Sequence, residues 1–153
     1  MGTIEAIYVA AESGAPMLQR ASATLVGGCG IHGDRNYREP SATPGQEVTL
    51  IEAEVVERFN AATGLGIDPG APRRNIVTRA VALNTLVGKE FRVGAAILLG
   101  LELCEPCATL GKRLATETVD AARVVRTLAH QGGLRASILA GARIQSGDTV
   151  HIC

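Results

Sequence analysis

The chain has 153 residues, of which 46% are hydrophobic, so it can bury one substantial core, and we expect one domain over residues 1–153. Aromatic residues make up only 3% and Trp is absent, so the core must be aliphatic and stacking platforms for nucleic-acid bases are scarce. The formal net charge is zero, which argues against non-specific nucleic-acid binding because that binding needs a basic excess.

The first half of the chain alternates between strand patterns and a long irregular segment. β-branched and aromatic residues predict a strand over 4–9, and a second is predicted over 23–26. Residues 27–46 contain five Gly and two Pro and are predicted to form a loop, of a length that is typically functional or disordered. Residues 47–64 begin as a strand and become a helix, with Gly64 placed where a C-cap could lie.

The second half predicts further short strands and one amphipathic helix. Strands are predicted over 73–78, 95–104, 134–139 and 148–152, a helical turn with a tight connection over 81–94, and a helix over 117–130. Short strands at irregular spacing with about two helices indicate a mostly β (α+β) protein. We expect a mixed, mostly antiparallel sheet that can curl into a barrel.

The amino terminus has no basic region ahead of its apolar run, so we expect neither a signal peptide nor an anchor. No stretch approaches the roughly 18 to 20 apolar residues of a membrane helix. We therefore expect a cytoplasmic protein with no membrane association. In a reducing compartment, free thiols, metal ligands or catalytic groups are expected of the four cysteines, Cys29, Cys104, Cys107 and Cys153.

The segment LELCEPCATL carries two cysteines three positions apart at the end of a predicted strand. A structural zinc site needs about four N or S ligands, and the remaining Cys and His residues are scattered. A redox pair would need a helix start, and ATLGKR is a weak one. Two buried thiols acting as small hydrophobes are a further alternative. Because Cys107 lies just past the strand, beyond Pro106, it is the better candidate for a nucleophile or a ligand of a soft metal.

Arginines form a second group of candidates. Arg35 follows Gly-Asp in the long loop, and Arg73 and Arg74 stand directly before Asn75 and a strand. Planar guanidinium groups bind phosphate through two hydrogen bonds, and Asn can bind a phosphate oxygen or the edge of a heterocycle. The alternative is a solvated rim of surface charge.

Two histidines and two aspartates complete the candidates. His32 and His151 could donate protons near neutral pH, but a lone histidine is more often an ordinary surface or packed side chain. Asp34 and Asp148 each follow Gly in a predicted turn, and we expect them to bind turn backbone.

Five segments in order resemble the MOSC domain, the module at the carboxy end of molybdenum-cofactor sulfurases. The segments are GIHGDRNY, QEVTLIEAEVVERF, PRRNIVTRAVALNTLVGKEFRVG, LELCEPCATL and GGLRASILAGARIQSGDTV. The resemblance covers nearly the whole chain and is most specific from Arg73 to Leu110. It implies a small stand-alone, bacterial-type MOSC protein with a distorted β-barrel and a molybdopterin-type molybdenum cofactor.

The resemblance also implies a set of site residues. In amidoxime-reducing relatives a cysteine at the PC position ligates molybdenum, and it corresponds to Cys107 here, which is also the candidate catalytic residue. The residues expected to bind the cofactor are Arg35, Arg73, Asn75, Ser13 and Arg74. Those relatives carry Lys beside the Ser, whereas this chain has Glu12, which weakens the expected attraction for an anionic pterin.

Three functions remain open. The resemblance implies reduction of N-hydroxylated compounds, with a separate flavin- or iron–sulfur-containing protein as electron donor. The second function is a sulfur carrier or cofactor chaperone that receives a persulfide on Cys107 from a cysteine desulfurase. The third is a domain that keeps the fold without the cofactor, which Glu12 favours. No pyridoxal-phosphate site is expected, because that chemistry belongs to a separate desulfurase domain.

Overall fold

The structure is a computed structural model that describes residues 1–153. It contains eleven strands, three α-helices and one short 3-10 helix, Leu83–Leu86. The strands are β1 Gly2–Val9, β2 Leu18–Arg20, β3 Ser22–Val26, β4 Gly30–Ile31, β5 Val48–Glu52, β6 Ile76–Arg79, β7 Glu90–Val93, β8 Ala96–Leu103, β9 Leu134–Ala140, β10 Ala142–Gln145 and β11 Thr149–Ile152. The helices are α1 Ala53–Thr63, α2 Ala108–Leu114 and α3 Ala121–Leu128.

Seven strands close into a barrel, in the order β1, β11, β7, β8, β9, β5 and β6, with β6 pairing back to β1. The seam between β1 and β11 pairs Gly2 with Val150. Every neighbouring pair in the ring is antiparallel except β5 and β6, which are parallel. The remaining strands extend the ring or form a separate three-stranded sheet of β10, β3 and β4. The prediction of a mostly β, mostly antiparallel barrel is confirmed.

Where the helices cover the barrel, its wall is apolar on both the inner and the outer face. Leu50 of β5 and Ile76 of β6 belong to the core inside the barrel. Their neighbours Ile51 and Val77 belong to a second core between the wall and the helices. Because β5 and β6 have apolar residues buried on both faces, neither strand alternates strictly between apolar and polar residues, as is typical of a parallel pair.

The three helices contribute their apolar residues to the second core, against the outer faces of β1, β5 and β6. Helix α1 buries Val55, Val56 and Phe59, and it ends at Gly64 with φ 75°. The backbone N–H of Gly64 donates to the carbonyl of Asn60, so the predicted C-cap is confirmed. No helix is both long and apolar enough to span a bilayer.

Several elements differ from the sequence-based predictions. Strands β2, β4, β7 and β10 were not predicted, and each has only two to four residues. Helix α3 is shorter than the predicted 117–130, because the Asp120 carboxylate accepts the Arg123 backbone N–H and starts the helix there. The weak helix start after Cys107 is a two-turn helix, α2, whose Gly111 allows close approach to α3: a Cβ there would lie 2.8 Å from the Ala121 carbonyl oxygen.

We predict that Gly100→Ala destabilises the barrel. Gly100 lies in β8 where the backbone of Leu86 and Val87 crosses the strand, and a Cβ would collide with the Leu86 carbonyl oxygen. The expected loss in the free energy of unfolding is about 1–3 kcal/mol, measured by urea denaturation. Gly27→Ala is the matched control, because a Cβ there would make only an ordinary contact, 3.5 Å from the Ile138 oxygen. Equal losses in the two variants would contradict this account of β8.

Candidate functional site

The two cysteines of the LELCEPCATL segment have different environments. Cys104 follows β8 directly and is 1% exposed, and its backbone N–H donates to the Gly133 carbonyl at 2.7 Å. Cys107 is exposed and immediately precedes α2. All four cysteines are free thiols. The structure therefore seals the first thiol of the pair inside the protein and leaves the second accessible.

The same environments shift the acidity of the two thiols in opposite directions. Burial raises the pKa of Cys104, although the positive charges of Arg74 and Arg135 oppose the shift. The thiol of Cys107 makes no capping hydrogen bond, but the backbone N–H of Leu110, and more weakly that of Thr109, lower the pKa of Cys107. Cys107 is thus the more readily ionised of the pair, as a ligand or nucleophile must be.

Arg73 stands on the loop before β6 with an unusual backbone and an incompletely paired side chain. Its φ is 67°, in the left-handed region, which is uncommon for a residue with a Cβ. Its Nη1 donates to the Ala15 carbonyl at 2.7 Å, whereas its Nη2 is buried without any partner. A buried guanidinium N–H with no acceptor is costly, so this atom marks a place where an acceptor is missing.

Two further arginines approach Arg73. Arg35 donates through Nη2 to the Arg73 carbonyl at 3.3 Å and through Nη1 to Asp34 at 3.1 Å. Burial lowers the pKa of Arg73, and the positive charges of Arg35 and Arg113 lower it further, against a weaker opposing influence from Asp34. We call Arg35, Arg73 and Arg113 the arginine cluster. Its mutual repulsion would be relieved by a bound anion.

An open cleft of about 300 Å³ lies beside the arginine cluster. It is lined by Met17, Asp68, Gly70, Ala71, Arg73, Arg113 and Leu114. Arg113 was missed by sequence reasoning, because the segment after Cys107 was not recognised as a helix. The signal available was the basic pair Lys112-Arg113 one and a half turns into ATLGKRL, which α2 turns towards Arg73.

Arg74 connects the loop before β6 with the cysteines. Its Nε donates to the Gly132 carbonyl at 2.7 Å and its Nη1 to the Pro72 carbonyl at 3.1 Å. Burial lowers the pKa of Arg74, and the nearby Cys104 and Cys107 oppose that shift. The two consecutive arginines therefore serve different neighbours: Arg73 faces the cleft and Arg74 the end of β8.

Asn75, predicted to contact the cofactor, is 3% exposed and its amide is fully used within the barrel. Its Nδ2 donates to the Tyr8 carbonyl at 3.1 Å, and its Oδ1 accepts from the backbone N–H and the hydroxyl of Thr49, both at 3.2 Å. The side chain joins β1 to β5 at the start of β6. This geometry makes Asn75 a residue that positions Arg73 and Arg74.

The amino-terminal turn reaches the arginine cluster through its backbone. The Ala15 N–H donates to the Glu12 carbonyl at 3.1 Å, which closes the turn, and the Ala15 carbonyl in turn accepts from Arg73. Ser13 and Glu12 are both exposed in this turn. The turn carrying the predicted Ser13 is thereby held beside Arg73, and Glu12 brings a carboxylate to the same region.

The other predicted polar residues lie elsewhere or are structural. Asp34 accepts the backbone N–H groups of Ala10 and Asn36, and Asp148 accepts that of Gln145, so their predicted turn roles are confirmed. His32 and His151 line other surface clefts. A histidine that sequence reasoning did not single out, His130, pairs with Glu105 at 2.8 Å.

The structure assembles no group of three or more His, Cys, Asp or Glu side chains that could hold a metal ion. A zinc site at Cys107 would lack its other protein ligands. A metal bound by Cys107 would therefore take its remaining ligands from a bound small molecule. A pterin dithiolene beside an arginine cluster fits that requirement, because it brings its own sulfur ligands and a phosphate for the unpaired Arg73 Nη2.

Together these features define a small β-barrel protein with an exposed thiol at Cys107 and an arginine cluster without a full set of counter-charges. A sequence model of the MOSC domain matches residues 37–151. The chain belongs to the MOSC domain family, a family associated with molybdenum-cofactor binding. A search of curated proteins finds no significant match.

Solved structures share the fold over nearly the whole chain. The YuaD protein from Bacillus subtilis matches with a TM-score of 0.83 at 18% identity, covering 98% of this chain and 94% of that one. YiiM from Geobacillus stearothermophilus matches with a TM-score of 0.77 at 13% identity, covering 100% and 75%. YiiM from Escherichia coli matches with a TM-score of 0.70 at 17% identity, covering 100% and 70%. At these identities the likeness establishes the fold.

We predict that iodoacetamide labels Cys107 first and Cys104 last. The pH midpoint for labelling Cys107 should lie below the ordinary cysteine value of about 8.5, because backbone N–H groups stabilise its thiolate. Cys104 should react only after unfolding, because it is buried. Peptide mass spectrometry at several pH values measures the rate at each position. Exposed Cys153 is the control for access, and equal rates for it and Cys107 at neutral pH would contradict the assignment.

Proposed function

We propose that this protein binds a molybdopterin-type cofactor at the arginine cluster and uses it to reduce N-hydroxylated compounds. The observation that carries the proposal is the buried, unpaired Nη2 of Arg73 in the arginine cluster. The loop that carries Arg73 also places Arg74 beside the Cys104–Cys107 segment. Sulfur ligation and phosphate binding are both needed to hold such a cofactor. This chain offers Cys107 for sulfur ligation and the arginine cluster for phosphate binding.

The arginine cluster supplies the anion site. The Arg35 guanidinium is paired with Asp34, so its charge is partly neutralised, whereas Arg73 has one unmatched N–H and Arg113 has no ion pair. A phosphate placed in the 300 Å³ cleft could accept from Arg73 and Arg113 through charge-assisted hydrogen bonds. Asn75 holds the start of β6 and orients Arg73. Ser13 adds a hydroxyl donor from the adjoining turn. The negative charge of Glu12, beside Ser13, reduces the positive electrostatic potential there.

Cys107 supplies the sulfur ligand. Its lowered pKa favours the thiolate that a metal requires, and its position ahead of α2 exposes it. Arg74 lies beside the two cysteines and brings a positive charge to this end of β8. Cys104 stays protonated and packed, where it supports the strand end and does not compete for metal.

When bound, a molybdenum cofactor supplies two electrons for cleavage of an N–O bond, and two protons complete the conversion of a hydroxylamine to an amine and water. The electrons come from a separate flavin- or iron–sulfur-containing electron-donor protein, as in the amidoxime-reducing relatives. Four free cysteines suit a reducing compartment, and we place this activity in the cytoplasm.

We predict that metal retention depends on Cys107 and not on Cys104. After expression in a host that makes the cofactor, molybdenum measured by plasma mass spectrometry should accompany the wild type and be lost from Cys107→Ser. Cys104→Ser should retain it, because the buried thiol does not reach the metal. Arg73→Gln should lower both molybdenum and fluorescent pterin about tenfold or more, whereas the exposed Arg92→Gln should lower neither. A metal-free wild type, or the reverse ranking of the two cysteines, would refute the proposal.

A second function is favoured by the same exposed thiol: a sulfur carrier. In that role the Cys107 thiolate attacks the outer sulfur of a persulfide on a cysteine desulfurase. The sulfur–sulfur bond of that persulfide breaks, the desulfurase cysteine leaves as a thiolate, and a new persulfide forms on Cys107. The accessible position and lowered pKa of Cys107 suit the attack.

We predict that incubation with a cysteine desulfurase and cysteine adds one sulfur atom to Cys107, detected by intact and peptide mass spectrometry. Cys107→Ser should remain unmodified, whereas Cys104→Ser should be modified like the wild type. A persulfide in a protein that retains no molybdenum and reduces no N-hydroxylated compound would favour the carrier over the reductase. Absence of both a persulfide and molybdenum would leave a domain that keeps the fold alone.

A further inference from the structure

A second basic site lies on the outer face of the three-stranded sheet, away from the arginine cluster. A cleft of about 340 Å³ opens there between β2, β3, β10 and the loop after β4. Its polar lining residues are Arg20, Ser22, Thr24, His32 and Arg143. None of them belongs to the cleft beside the arginine cluster. We propose that this cleft binds the phosphate group of a small ligand.

The sheet register brings the groups to one face. Arg143 of β10 pairs directly with Thr24 of β3, so their side chains emerge side by side, and Ser22 follows on the same face because strand residues alternate. The neighbouring residues Leu25 and Ile144 are buried on the opposite face. The sheet therefore packs against the core with one face and presents a row of hydrogen-bond donors on the other face.

Two flanking elements close the cleft. The backbone N–H of His32 donates to the Thr24 carbonyl at 2.9 Å, which holds the loop after β4 against β3. The His32 ring meets Tyr37 edge-on, with centroids 5.4 Å apart, and this contact orients the imidazole. Arg20 ends β2, whose pairing with β1 places it opposite Ile7. The cationic groups thus come from three separate parts of the chain.

The charge in the cleft is uncompensated. No Asp or Glu lines it, and its only side-chain hydrogen bond joins Arg143 Nη2 to the Ser22 hydroxyl at 2.9 Å. Neither Arg20 nor Arg143 has an ion pair, whereas Arg79 binds both Glu5 and Glu57, and Arg135 approaches Glu102. In a chain with net charge zero, two guanidinium groups without a counter-charge form a local excess of positive charge.

The chemistry favours phosphate over a carboxylate. Two guanidinium groups match the near-dianionic charge of a phosphate monoester, whereas one carboxylate would leave positive charge unneutralised. The hydroxyls of Ser22 and Thr24 and an imidazole N–H can donate to further phosphate oxygens. The cleft volume lies in the range of small-molecule sites, so the phosphate belongs to inorganic phosphate or to a small phosphorylated compound.

Titration of ¹⁵N-labelled protein with sodium phosphate at constant ionic strength tests this proposal. Saturable shifts are expected for the amides of Thr24 and Gly33, which report this cleft, whether or not the amide of Ala71 beside the arginine cluster also shifts. Arg143→Gln and Arg20→Gln should each weaken binding at Thr24 and Gly33 about tenfold. Arg92→Gln, an exposed arginine of β7, should leave it unchanged, and so should Cys107→Ser. The spectrum of each variant confirms that it is folded.

Adenosine monophosphate and acetate complete the experiment. Tighter binding of the nucleotide than of inorganic phosphate would assign the site to a phosphorylated compound, and equal binding would assign it to free phosphate; both outcomes support the proposal. No saturable shift at Thr24 and Gly33 with either ligand would overturn it. Acetate binding as tight as phosphate, or an equal loss in Arg92→Gln and Arg143→Gln, would also overturn it. Because Cys107 and the arginine cluster play no part, the proposed molybdenum function can fail independently.

Discussion

The rest of the structure depends on the buried amide of Asn75. It donates to Tyr8 on β1 and accepts from Thr49 on β5, and its own backbone N–H donates to the Thr49 carbonyl at 3.1 Å. These bonds provide partners for backbone groups at the start of the parallel strands β5 and β6. The hydrogen bonds between the two strands alone would leave those groups unpaired. Without this amide, the junction of three strands would bury unpaired polar atoms, at a cost of about 1–3 kcal/mol for each.

That junction determines where the charged groups lie. The chain reaches Asn75 through Arg73 in a left-handed conformation, which the Arg73 backbone N–H secures by donating to Gly70 at 3.0 Å. A non-glycine residue in this region costs on the order of 1 kcal/mol or more, and it persists because its surroundings hold it. The turn sends Arg73 towards Ala15 and Arg74 towards Gly132. One strained residue thus divides two adjacent arginines between an anion site and a thiol site.

Local patterns were sufficient to predict some elements and not others. Helix α1, its Gly64 cap and strand β8 have strong periodic or capping signals within their own segments, and the structure has all three. The short strand β10 could not be found this way, because residues such as Ile144 become strand residues through pairing with the distant β3. Strand β7 was missed although it pairs with β8 directly after it, because its four residues also depend on pairing with the distant β11. The segment after Cys107 was taken as only a weak helix start for a similar reason: α2 is stabilised by packing on α3.

At the candidate site too, features set by local sequence could be predicted, whereas contacts between distant segments could not. The difference between Cys104 and Cys107 followed from the strand end and Pro106, and the structure buries one thiol and exposes the other. Arg113 lies 40 positions after Arg73 in the chain, and only the packing of α2 brings it to the cleft. Asn75 was assigned to a ligand from the family resemblance and from the capacity of an amide to bind phosphate, and its structural role in the barrel was not predicted. Its partners Tyr8 and Thr49 are far away along the chain, so their hydrogen bonds could not be read from local order.

The seam that pairs Gly2 with Val150 also bears on how the protein is made. Strand β1 leaves the ribosome before the other ten strands, and one of its two partners in the ring, β11, is the last of the eleven to follow. Until residues 149–152 emerge, the hydrogen-bonding edges of β1 and β7 stay open, and Ile4 and Val93 lack one wall of their core. Once β7 has formed, the nascent chain therefore carries two unpaired strand edges until β11 emerges and pairs with both.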